Sequence, residues 1–165
     1  MNAELKLEQK SKLSSSEWKE IGHLLRVLQD QELQWRCNFH EKQSGMCMVG
    51  AVLPEVTAKS TREVLKKDNL IFTAREPKTK KIIGFCAVQE LPSLGWAVCN
   101  GLYVDPKWRR RGIASDFLKT ALEKARKDGL DSLELRVSVN NKEAQALYKK
   151  LGFSTVALKM ERWTW

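Results

Sequence analysis

Leu102-Tyr103-Val104-Asp105-Pro106-Lys107-Trp108-Arg109-Arg110-Arg111-Gly112-Ile113-Ala114 is the stretch on which the reading of this chain turns. An apolar strand ends at Val104, a proline breaks it, and a basic turn passes through Gly112 into a helix. Ile113, Ala114, Phe117, Leu118, Ala121, Leu122 and Ala125 recur at helical spacing and define one buried face. The first turn of a helix leaves backbone N–H groups without intrahelical partners, and the helix dipole adds partial positive charge there. Gly112 and Ala114 carry almost no side chain, so an anion can approach the backbone itself. The pattern therefore predicts a phosphate or pyrophosphate cradle at a helix start. A basic turn that merely caps an ordinary βα unit is the plainer alternative.

The chain has 165 residues, 42% hydrophobic and 30% charged, which describes one globular domain spanning residues 1–165. No apolar run approaches the ~20 residues of a transmembrane span. The polar start MNAELKLEQKSKL has no apolar core of a secretory signal. Cys37, Cys47, Cys86 and Cys99 lack CxxC spacing, so reduced thiols and a cytoplasmic setting are expected, with no metal. A formal charge of +9 suits an acidic partner or a phosphate pocket. Its basic residues are spread along the chain, so neither nucleic acid nor a membrane is the expected partner.

Outward from the opening stretch, Leu5-Lys-Leu7 reads as an edge strand, and Ser14-Ser15-Ser16-Glu17 as the start of a helix. Trp18, Ile21, Leu24, Leu25 and Leu28 mark its buried face, out to about Trp35; His23 within it reads as a surface or packing residue. Residues 36–53 have no period and form a candidate substrate loop, where His40 and Glu41 are acid–base candidates without a nameable partner. Residues 54–67 read as a second helix. Residues 69–75 and 82–91 form a hairpin, and residues 96–104 a third strand. After the opening helix, Asp128-Gly129 is a stop signal. Residues 133–139 alternate as a strand, Asn140-Asn141 opens a helix with Ala144, Leu147, Tyr148 and Leu151, and residues 153–163 read as terminal strand.

Two segments then stand together: Val104-x-Pro-x-x-Arg109-x-x-Gly112-x-Ala114 and Asn141-x-x-Ala144-x-x-Leu147-Tyr148-x-Lys150-x-Gly152-Phe153. This pairing resembles the GCN5-related N-acetyltransferase (GNAT) superfamily over roughly residues 69 to 163. The resemblance implies an α+β fold, a mixed and mostly antiparallel sheet of 6–7 strands flanked by about four helices. It also implies acetyl-CoA as co-substrate and transfer of an acetyl group to a primary amine of a protein or small molecule.

By the same resemblance, Arg109, Gly112 and Ala114 match the pyrophosphate loop, with backbone amides from Arg110 to Ser115, Arg111 and Ile113 among them, as donors. Leu102, Tyr103 and Val104 match the strand end that pairs with the pantetheine arm. Tyr148 matches the proton donor to the leaving thiolate, a role that suits a phenol of pKa about 10. Asn141 matches a coenzyme contact, and helix capping is its plainer role. Relatives often carry a glutamate where this chain has Asn100, which can orient a water but not take a proton. Asn100, Glu90, Glu41 and direct attack by a neutral amine all stay open. A catalytically silent acetyl-CoA-binding or nucleic-acid-associated module is the competing reading. The aromatic terminus, Trp163 and Trp165, fits a homodimer contact and edge-strand packing equally.

Overall fold

A computed structural model describes residues 3–8, 10–44 and 57–157. In chain order these form β1 (Glu4–Glu8), α1 (Ser15–Ser44), α2 (Ala58–Val64), β2 (Leu70–Arg75), β3 (Ile82–Leu91), β4 (Trp96–Val104), α3 (Ile113–Lys127), β5 (Ser132–Leu135) and α4 (Lys142–Lys150). The sheet runs in order β1-β2-β3-β4-β5; the first three pairings are antiparallel, and β4 pairs with β5 in parallel. That last pairing needs a crossover, which α3 supplies. The mixed α+β architecture is the expected one, with five strands among the described residues rather than six or seven.

Each face of the sheet buries its own core. Phe117, Leu118, Ala121 and Ala125 of α3 lie on one face against Phe72, Cys86, Val88, Ala97, Cys99 and Val104. Trp18, Ile21 and Leu25 of α1 lie on the other against Ile71, Ile82, Phe85, Ala87 and Tyr103. The central strand is buried from Ile82 to Val88, so it reads as a continuous apolar run instead of alternating.

Two register shifts shape the strands. Ala74 faces Gly84 and Arg75 faces Ile82, which leaves Ile83 as an extra residue in β3. Ala87 faces Gly101 and Val88 faces Cys99, which leaves Asn100 as an extra residue in β4. Such a bulge reverses the in–out alternation beyond it. Ala97 and Cys99 before it join the α3 face, as do Leu102 and Val104 after it. Gly101 follows the bulge because a Cβ there would stand 3.1 Å from the Phe85 ring.

Several expected boundaries move. The helix starting at Ser15 runs to Ser44, so residues 36–44 of the expected substrate loop are helical, and residues 45–53 lie outside the described residues. His40 and Glu41 belong to this part of α1, and their side chains lie outside the described residues. His23 is exposed on α1. The second helix is shorter than expected, Ala58–Val64, held at its start by the Thr57–Ser60 capping box. β5 stops at Leu135 although the alternation continues to Val139, because β4 bends away at its bulge and offers no partner. Residues 153–157 form no strand, and the remainder of the expected terminal strand, with Trp163 and Trp165, lies outside the described residues.

Candidate active site

β4 and β5 pair only from Trp96–Ser132 to Cys99–Leu135. Past that point the two chains part, and the edge of β4 from Gly101 to Val104 that faces away from β3 pairs with no described strand. The gap opens into a cleft with Cys99, Asn100, Gly101 and Leu102 on one wall. Leu135, Arg136, Val137 and Ser138 line the diverging chain, Asn141 and Tyr148 come from α4, and Leu28 and Glu32 come from α1. A parted strand edge leaves backbone N–H and C=O groups available to an extended ligand, as though it were an added strand.

At the C-terminal end of β4, Asp105 accepts a hydrogen bond from the Lys107 N–H at 2.9 Å and starts a tight turn over Pro106–Trp108. The loop then passes through two left-handed residues, Arg110 at φ 63° and Gly112 at φ 86°. The first helical hydrogen bond of α3 runs from the Asp116 N–H to the Gly112 carbonyl at 2.9 Å. The N–H groups of Ile113, Ala114 and Ser115 therefore precede the helical ladder, and no side chain caps them at Gly112. Asp116 and the basic last turn of α3 reinforce the helix ends without occupying this opening.

The arginines of the loop hold different posts. The Arg109 Nε donates to the Val104 carbonyl at 3.0 Å, and its guanidinium lies 5.5 Å from the centre of the Tyr103 ring. It braces the loop against the strand end. The Arg111 guanidinium covers Trp108 at 4.7 Å, and Arg110 is exposed. Tyr103 is buried, which pushes its phenol up from the ordinary value. The positive face of the loop is thus a backbone face with guanidinium groups at its margin.

Tyr148 reaches the cleft from the last turn of α4 and packs against Phe153, with ring centres 5.9 Å apart. Burial pushes its phenol well above the ordinary range, and neighbouring Cys99, Cys86 and Glu32 push it in the same direction. It is held as a neutral O–H. The Cys86 and Cys99 thiols lie 3.6 Å apart beside it, and burial together with their contact raises the Cys86 thiol strongly. Asn141 serves as the N-cap of α4: its Oδ1 accepts from the Ala144 N–H at 3.1 Å while the residue also lines the cleft. Capping and a ligand-facing position coexist.

Asn100 stands at the cleft on the bulge, and its Nδ2 donates to Asp68 Oδ1 at 2.8 Å. Asp68 is only 2% exposed, at the turn between α2 and β2. Glu90 lies apart from this group. It accepts from the Asn69 amide and sits by Lys124 and Asp128 at the opposite end of α3 from Gly112. Two carboxylates were missed from sequence, Glu32 on the cleft wall and Asp68 buried behind Asn100. Glu32 lies four and seven positions after Leu28 and Leu25, so a charge on the apolar face of α1 was the signal. Asp68, in a turn, carried none.

A family model described as Acetyltransferase (GNAT) family matches residues 25–153, reaching back into α1 well before the motif-bearing half. The chain is 38% identical over 72 residues, 44% of its length and 25% of the relative's, to the chloroplastic GCN5-related N-acetyltransferase 6 of Arabidopsis thaliana. It is 35% identical over 95 residues, 54% of its length and 42% of the relative's, to an uncharacterized N-acetyltransferase of Methanocaldococcus jannaschii. The chain thus spans less than half the length of both. A Trypanosoma brucei acetyltransferase superposes with a TM-score of 0.64 over 98% of this chain and 100% of that one, at 17% identity, which is a likeness of fold.

Proposed function

This chain belongs to the acetyltransferase (GNAT) family, and from that premise we propose that it transfers the acetyl group of acetyl-CoA to a primary amine. The observation that carries this reading is the parting of β4 from β5 at Asn100, which opens a cleft that Tyr148 also lines. Residues 1–165 are read as one such domain, acting in the cytoplasm, where the buried thiols of Cys86 and Cys99 stay reduced.

The residues present fit the coenzyme. Backbone N–H groups of the loop, Arg110 to Ser115, suit a pyrophosphate, with Arg111 at the margin. The free edge of Leu102, Tyr103 and Val104 suits the amide-bearing pantetheine arm. Bound acetyl-CoA supplies an acetyl group already activated as a thioester. A backbone N–H near Val104 polarises the acetyl carbonyl, and Tyr148 gives its proton to the departing thiolate sulfur. Holding amine and thioester in one cleft supplies most of the remaining rate.

The acceptor enters from the α1 side, where Glu32 offers a carboxylate despite the net basic charge of the chain. A protein amine and a small-molecule amine both fit that opening. The test is release of CoA from acetyl-CoA over a panel of simple primary amines, amino acids, polyamines and peptide N-termini. Amine-dependent release supports the reading. Tight acetyl-CoA binding with no release over the whole panel overturns it in favour of a silent binding module.

A further inference from the structure

Resting on the acetyl-transfer reading, we propose that Asp68 is a positioning residue that locks the Asn100 amide with its carbonyl oxygen toward the cleft, so that Asn100 receives an N–H of the neutral acceptor amine. The argument begins with the bulge. Because Asn100 has no partner across β3, its side chain is free of the in–out alternation and stands at the point where β4 leaves β5. Both Asn100 and Tyr148 line the cleft there.

An asparagine amide has two faces of opposite hydrogen-bonding character, and their assignment follows from the partner. The partner is a buried carboxylate: Asp68 Oδ1 lies 2.8 Å from Asn100 Nδ2, and Asp68 is 2% exposed. A carboxylate only accepts, so an N–H of the Asn100 amide faces Asp68, and Oδ1 is the acceptor the side chain keeps for the cleft. Among the described residues, the charge of Asp68 acts on the Lys10 ammonium and, from β2's side of the turn, on the Cys86 thiol of β3. Glu32 and Tyr148 face Asn100 across the cleft.

The chemistry follows from that orientation. An amide oxygen accepts one N–H and holds the nitrogen in place, but it does not take a proton. The amine must therefore arrive neutral, its lone pair aimed at the thioester carbon, and its surplus proton leaves to water after attack. For an acceptor whose only charge is the reacting amine, and which therefore gives Glu32 no cation to hold once neutral, the rate of the wild-type protein should then follow deprotonation of the amine itself, with no carboxylate limb on the acid side.

The test uses the full chain and three variants. In the free protein, the side-chain NH2 signals of Asn100 in a 15N spectrum should be split and slow to exchange, and Asp68→Asn should move them toward the positions of solvated amides. With the best amine of the panel, D68N should raise acceptor KM or lower kcat/KM at least tenfold, while the acetyl-CoA Kd from calorimetry stays within twofold. The double exchange of D68N with N100D restores a carboxylate–amide hydrogen bond but turns the charge toward the cleft. It should recover melting temperature and gain an acid limb in the kcat/KM profile that the wild type lacks. N100D alone should gain the same limb. If D68N does not fold, the double exchange carries the test. Acceptor kcat/KM within twofold of wild type in D68N, or a double exchange that restores wild-type pH behaviour, overturns this inference while leaving acetyl transfer standing. Absence of CoA release by the wild type with every amine sinks both.

Discussion

At the scale of single residues, the proposed proton donor Tyr148 and the proposed hydrogen-bond acceptor Asn100 differ in their surroundings. Tyr148 is half-buried, and burial, Cys99, Cys86 and Glu32 all raise its phenol above the ordinary range. A raised pKa means that the protonated form persists to higher pH, so Tyr148 remains a donor throughout the neutral and mildly alkaline range. Tyr148→Phe should lower kcat by about 10²-fold, the low end of general-acid contributions, while acetyl-CoA Kd from calorimetry changes little. A kcat–pH profile of the wild type should show no alkaline loss assignable to Tyr148 below the ordinary phenol pKa; a fall that disappears in the Tyr148→Phe variant would contradict the raised pKa. Glu32→Gln should weaken cationic acceptors more than uncharged ones, read as acceptor KM at fixed acetyl-CoA. Equal effects on both would remove Glu32 from acceptor recognition.

At the scale of elements, the loop into α3 shows how backbone conformation leaves N–H groups open at a helix start. Gly112 at φ 86° occupies a region that costs a β-carbon-bearing residue roughly 1–2 kcal/mol, although a Cβ itself would meet only Asp116 Oδ2, at 3.7 Å. Strain, more than collision, will therefore tilt the first N–H groups of α3. Gly112→Val should abolish measurable acetyl-CoA binding in calorimetry while leaving most of the fold intact by circular dichroism, and retained micromolar binding would count against the loop. This element was legible because glycine, basic turn and amphipathic helix are all local signals; α3 begins at Ile113 and ends at Lys127, where its pattern said it should. The Asn100 bulge was not legible, since it exists in the register between β3 and β4 and not in either strand alone. For the same reason the alternation from Leu133 to Val139 overstated β5, whose length depends on where β4 turns away. The helical continuation of α1 to Ser44 was missed because residues 36–44 show no apolar period in the sequence.

At the scale of the whole molecule, the cleft exists because α1 is fastened across one face of the sheet while α3 fills the other. Phe117 of α3 is fully buried against the sheet, beside Gly84, where a Cβ would sit 3.4 Å from its ring and 2.9 Å from the Tyr103 carbonyl. Phe117→Ala should cost about 3–5 kcal/mol, a large part of a typical total stability, read from denaturant midpoints. The α1 face is fastened at its start. Ser14 and Glu17 form a reciprocal cap: the Glu17 carboxylate accepts from the Ser14 N–H at 2.8 Å, and Ser14 Oγ accepts from the Glu17 N–H at 3.2 Å. The same carboxylate receives Arg75 of β2 at 2.8 Å, so one side chain joins the helix cap to the sheet. Hydrogen bonds from the Ser14 backbone and hydroxyl, and then Arg75, hold Glu17 below its ordinary value of 4.5. A lowered folded pKa contributes stability that is fully present above the unfolded value and lost as pH falls through the folded one. Glu17→Gln should therefore reduce the melting temperature at neutral pH, and the gap from wild type should close as the pH drops below the ordinary carboxylate range. A gap that persists unchanged in acid would mean that the carboxylate charge does not fasten α1. Because α1 carries Leu28 and Glu32 into the cleft, the same substitution should also raise acceptor KM at neutral pH, while acetyl-CoA, whose proposed contacts lie on β4 and the loop into α3, should keep its affinity.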